Sequence, residues 1–176
     1  KVCRKIARER VEEQIETVVI DEGPKGVENY LGPEKYQSDE GVGVDVIGAA
    51  NGLAWTSVGG EVLVIEAIRM KGHGKLVITG KLGEVMKESV QAAHSFIRSK
   101  AVDLGIAQSM FEEEDLHIHF PAGAVPKDGP SAGVTVTLAI ASLLSNRPVN
   151  SEFAMTGEVT LRGKVLSVGG IKDKIL

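Results

Sequence analysis

The sequence predicts a mixed α/β fold, and three features carry that expectation. Two runs, EVLVIEAIRM and KLVITGKLG, have the Val and Ile content of strands. From Gly83 to Leu104 the apolar residues recur at helical spacing. VTVTLAIASLLS, residues 134–145, carries no charge over its length, which is long for a strand and suits a buried helix.

The chain has 176 residues, 43% of them hydrophobic, enough for one domain with a proper core or for one domain plus a fragment. Its formal net charge is −4, without the basic surplus of a nucleic-acid binder. Cys3 is the only cysteine, so no intrachain disulfide forms, which suits a reducing compartment. No apolar run reaches the ~20 residues that span a bilayer, and KVCRKIARER lacks a signal peptide's apolar segment. No internal repeat or low-complexity tract is present.

Taken in order, residues 1–16 read as a helix with Val2, Ile6, Val11 and Ile15 on one face. Lys1, Arg4, Lys5, Arg8 and Arg10 read as its solvated face. EGPKG is a loop, and VENYLGPEKY a short helix closed by Gly32 and Pro33. YQSDEGVGVD is the candidate linker. VDVIGAANGLAWTSVGG ends in a Gly-Gly turn before the first strand run, and KGHG is the turn before the second. GHGK is no phosphate loop, since the GxxxxGK[ST] pattern occurs nowhere in the chain. The long helix places Met86, Val90, Ala93, Ile97, Ala101 and Leu104 on one stripe, which is core.

LHIHF, residues 116–120, is a short strand with Leu116, Ile118 and Phe120 facing one way and His117 and His119 the other. A histidine pair at i, i+2 can chelate a metal, but no convincing third ligand accompanies it. A hydrogen-bonded strand face is expected, with no metal. EFAMTGEVTL and KVLSVGG form a hairpin around Arg162–Gly163, and IKDKIL opens a helix after Gly169–Gly170.

AVPKDGPSAGVTV, residues 124–136, puts Ser131 at the start of the charge-free helix. One reading makes Ser131 an N-cap. The other makes it a nucleophile in the positive field of a helix N-terminus, where backbone N–H groups can hold an oxyanion. Gly129, Ala132 and Gly133 would let a substrate backbone approach, and Pro126 and Pro130 stiffen the turn. No histidine is local to act as base, but a buried lysine kept neutral by desolvation can do so.

PKDGPSAG at 126–133 resembles the nucleophile motif of the Lon proteases, of the LonA type. GLAWTSVGGEVLVIE (52–66), GKLVITGKLGEVMKESVQAA (74–93), HIHFPAGAVPKDGPSAG (117–133), AMTGEVTLRGKVL (154–166) and VGGIKDK (168–174) follow the same family's pattern in its order. The resemblance implies the compact α/β (α+β) Lon protease domain over 38–176. It makes 1–37 the last helices of the small helical subdomain of an AAA+ module. It implies a serine endopeptidase with a Ser-Lys dyad, without histidine, that degrades unfolded, damaged and short-lived regulatory proteins. Full-length members form hexamers and use ATP and Mg; this chain, without a phosphate loop, is expected to bind no cofactor.

Lys172 and Lys174 compete for the role of base, and helical periodicity leaves the choice open. The family register places it at Lys174. The resemblance also sets Thr156 beside the lysine amine, and it gives Asp128 a part in orienting the loop rather than that of a triad acid. Ala122 stands where the family usually has Glu, and Ser167 where it usually has Pro. The family domain continues past Leu176 with further strands and helices. Bacterial cytoplasm is the expected location, with the mitochondrial matrix as the alternative. A non-catalytic assembly or substrate-docking module that keeps the fold is the rival reading.

Overall fold

The computed structural model describes residues 1–13, 24–32, 41–56, 59–121 and 126–175. The chain divides into two compact units, Lys1–Ser38 and Asp39–Leu176.

In the first unit α1 spans Val2–Glu13 and α2 spans Pro24–Leu31. Residues 14–16 of the expected first helix lie outside the described residues. α2 begins inside the stretch read as a loop, because Pro24 at the first helical position costs no hydrogen bond and presets the backbone. Gly32, at φ +86°, donates its N–H to the Glu28 carbonyl and ends the helix. Arg8 pairs with Glu12 one turn on, so part of the basic face of α1 is neutralised locally.

The second unit is built on a five-stranded mixed sheet, in the order β3-β4-β2-β1-β5. Its strands are β1 (Ala49–Thr56), β2 (Gly59–Lys71), β3 (Leu76–Thr79), β4 (Glu114–His119) and β5 (Ala154–Met155). β1 and β4 run antiparallel to β2, while β3 pairs parallel with β4 and β5 parallel with β1. The alternation along β2 and β4 sends Leu63, Ile65, Ala67, Leu116 and Ile118 into the core. Against that face pack α3 (Glu84–Ser99) and α5 (Gly133–Ser145), which also touch each other. Each fully buried Val or Ile here, such as Val90, Ile65 or Ile140, contributes about 1.5–3 kcal/mol.

The long helix is shorter than its apolar period suggests. α3 ends at Ser99, and Gly105 at φ +70° turns the chain so that the Ile106 N–H bonds the Ala101 carbonyl. Ile106 therefore takes the buried place that the stripe assigned to Leu104, and Leu104 is exposed. A one-turn helix, α4 (Met110–Glu113), then leads into β4 and was not expected. The charge-free run is the helix α5, closed by Asn146 in the left-handed conformation.

The Gly-Gly pair is not a turn. Gly59 and Gly60 are the first residues of β2, paired with Thr56 and Trp55, and residues 57–58 lie outside the described residues. EFAMTGEVTL also divides. Its Ala154–Met155 joins the main sheet as β5, and only β6 (Glu158–Val159) pairs with β7 (Val165–Leu166) around the Arg162–Gly163 turn. The chain closes with α6 (Ile171–Ile175), entered through Gly170 at φ +70°.

Candidate active site

Ser131 sits in a 3-10 turn, Pro130–Ala132, that leads directly into α5. The turn needs Gly129, whose φ of +115° is closed to other residues. No side chain caps the turn or α5, and no hydrogen bond holds the Ser131 hydroxyl among the described residues. The N-cap reading of Ser131 therefore does not describe this site.

Two sets of bonds fix the turn. On one side, the Asp128 carboxylate accepts the N–H groups of Met86 and Gly129, each at 2.9 Å. Met86 is in the first turn of α3, which has no cap of its own, so Asp128 caps that helix from a distant loop. Gly83 makes this possible, since a Cβ there would lie 2.2 Å from the Asp128 carboxyl carbon. Asp128, expected to orient the loop, thus ties the residue after it to the start of α3. On the other side, the Ser131 carbonyl accepts the Gly157 N–H at 2.8 Å and the Thr156 hydroxyl at 3.3 Å.

The same Thr156 hydroxyl accepts a hydrogen bond from the Lys174 Nζ at 2.8 Å. Lys174 is 8% exposed, and burial pulls its amine below the ordinary lysine value of 10.5. Lys172, two residues away on α6, is exposed. The structure thus separates the two lysines that periodicity left open. α6 reaches this position because Gly60 has no side chain, as a Cβ there would stand 2.5 Å from the Lys174 carbonyl oxygen. Ser131, Lys174 and Asp128 line one cleft of about 620 Å³, together with Trp55, Glu61 and Glu158.

Not every sequence-predicted neighbour faces that cleft. Gly133 is packed inward, with Val159 and Ser89 where a Cβ would go, so it admits β6 rather than a substrate. Ala122 lies outside the described residues. His117 and His119 are on the sheet face away from the helices, and both reach the Thr79 hydroxyl, at 2.8 and 2.7 Å. No group of three or more His, Cys, Asp or Glu is placed to hold a metal ion among the described residues. The Gly-Lys turn at 72–75 does not fit a nucleotide phosphate. Its His73 and Lys75 N–H groups already donate to the Asp115 carboxylate, both at 2.8 Å, and Gly74 is pressed against the Phe111 carbonyl.

A family model described as the Lon protease (S16) C-terminal proteolytic domain matches residues 21–176. The chain belongs to the Lon proteolytic-domain family. It is 53% identical over 175 residues to a Lon protease of Desulforamulus reducens, covering 99% of this chain and 21% of that protein. It is 55% identical over 175 residues to a Lon protease of Syntrophus aciditrophicus, covering 99% and 22%. It is 51% identical over 176 residues to a Lon protease of Dictyoglomus thermophilum, covering 100% and 22%. The chain thus spans about a fifth of the length of the curated relatives it matches. The expected fold class and the resemblance both hold, and the mixed sheet with its helical layer is this Lon domain's architecture.

Sequence reasoning missed Gly60 and Gly83 as site residues. The contacts that require them are to chain segments far away in sequence, so neither leaves a local signal. Glu61 and Glu158 were likewise read only as strand residues.

Proposed function

We propose that this Lon domain hydrolyses peptide bonds with Ser131 as nucleophile and Lys174 as its base. The observation that carries the reading is the buried Lys174 amine, joined through the Thr156 hydroxyl to the main chain of Ser131 inside one cleft. A serine hydroxyl is a weak nucleophile until a neighbouring base takes its proton. Neutral Lys174 accepts that proton as the Ser131 oxygen attacks the scissile carbonyl. The carbonyl oxygen becomes an oxyanion, held by backbone N–H groups of the turn around Ser131. Lys174 then returns the proton to the departing amine as the C–N bond breaks, leaving an acyl-enzyme. Water, deprotonated by Lys174, attacks that ester and frees Ser131. Thr156 orients the amine, and Asp128 and Gly129 hold the turn.

In the longer protein to which such a domain belongs, the substrates would be unfolded, damaged and short-lived regulatory polypeptides, degraded by a ring-forming hexamer in the cytoplasm. Residues 1–37 would be the end of an AAA+ helical subdomain, and ATP and Mg would act in that module rather than here. Among the described residues no helix is long and apolar enough to cross a membrane.

Incubation of the chain with an unfolded casein-like substrate, with and without a serine-reactive inhibitor, tests the reading. Inhibitor-sensitive degradation without added ATP is expected. No degradation, or degradation insensitive to the inhibitor, would overturn it.

A further inference from the structure

The cleft holds two carboxylates that the proposed chemistry does not use. Glu61 follows Gly60, the residue against which the Lys174 backbone rests. Glu158 follows Gly157, whose N–H bonds the Ser131 carbonyl and whose carbonyl accepts the Val134 N–H. The two residues thus sit on the segments that pack against α6 and against the serine turn. Both line the cleft and both are half-buried. Neither has a hydrogen bond or ion pair among the described residues, whereas Asp128 is committed to two N–H groups.

The cations in the cleft do not offset this charge. Lys174 must be neutral to act as base. Lys127 is turned aside, its amine donating to the Pro121 carbonyl at 2.9 Å. Three carboxylates face one standing ammonium, so an extended polypeptide entering the cleft meets net negative charge. A partly desolvated carboxylate without a partner regains its lost solvation from a cation, and a like charge beside it is repelled.

Resting on the peptidase reading, we propose that the cleft selects polypeptide stretches with lysine or arginine next to the scissile bond and rejects acidic ones. Glu61 and Glu158 are the specificity-determining residues. A ligand ammonium on either is worth the modest amount of a half-exposed ion pair, about fivefold in relative rate, and is weakened by salt.

The test compares otherwise identical unstructured peptides with Lys, Gln or Glu at each position flanking the cleaved bond, read as kcat/KM at low and high salt. The expected result is Lys over Glu by about tenfold at one or more positions, shrinking at high salt. Glu61→Gln and Glu158→Gln should each lower that ratio about fivefold, and Glu112→Gln, exposed on α4, should leave it unchanged. Equal rates for the Lys and Glu peptides, or a ratio untouched by either cleft variant, would overturn the proposal while leaving the peptidase reading in place. Failure to cleave even the Gln peptides would overturn both.

Discussion

The Lys174 amine and the Ser131 carbonyl share one hydroxyl, that of Thr156, which accepts from the first at 2.8 Å and donates to the second at 3.3 Å. Thr156 thereby fixes where the amine stands relative to the serine turn. Thr156→Val keeps the shape and removes both bonds. Turnover should fall about tenfold to hundredfold, the ~1.5–3 kcal/mol of a hydrogen bond to the ammonium that forms as Lys174 takes the serine proton, with KM little changed. Thr156→Ser should restore most of it. Steady-state kinetics of the variants on one unstructured peptide make the check, and a Val variant at full rate would remove Thr156 from the mechanism.

Burial lowers the Lys174 pKa, and the sign of two pH effects follows. With Lys174 as the proposed base the neutral amine is the active form, so the rate should rise with pH through a group titrating below ordinary lysine. Between the lowered folded value and the unfolded one the unfolded chain binds the extra proton, so stability also rises with pH across that window. Below it the protonated, desolvated amine is a constant cost. Lys174→Met should then abolish turnover and raise the melting temperature at neutral pH, by about 2–4 °C for each kcal/mol recovered. Lys172→Gln should keep both the rate and its pH profile. The opposite pattern in the two variants would move the base to Lys172.

Gly60 allows α6 to lie against the start of β2. In Gly60→Ala the new methyl must displace backbone, and Lys174 moves with it. Loss of most turnover is expected, with the sheet intact by circular dichroism and the kinetic pKa shifted. Gly43→Ala, where a Cβ meets nothing within 4 Å, is the matched control. Unchanged kinetics in Gly60→Ala would show that α6 adjusts freely.

The parts of the fold and of the site that were legible in the sequence are those whose cause is local. The PKDGPSAG turn, the charge-free α5 and the alternation of LHIHF each follow from their own residues and neighbours. Which of Lys172 and Lys174 is buried was not, because α6 is too short for periodicity to mark its inner face; contact with β2 and Thr156 buries Lys174. Leu104 was misplaced for a similar reason. The apolar period runs on past Ser99, but a left-handed Gly105 turns the chain and gives Ile106 the core position. The split of EFAMTGEVTL reflects a tertiary partner too, since β5 leaves the hairpin to pair with β1.

Peptide hydrolysis by Ser131→Ala decides whether Ser131 is the nucleophile. The Ser131 hydroxyl makes no hydrogen bond among the described residues, so its removal should leave the fold and melting temperature unchanged. A folded variant with no measurable cleavage of an unstructured peptide that the parent chain cuts is expected. Cleavage at the parent rate by the folded variant would contradict it.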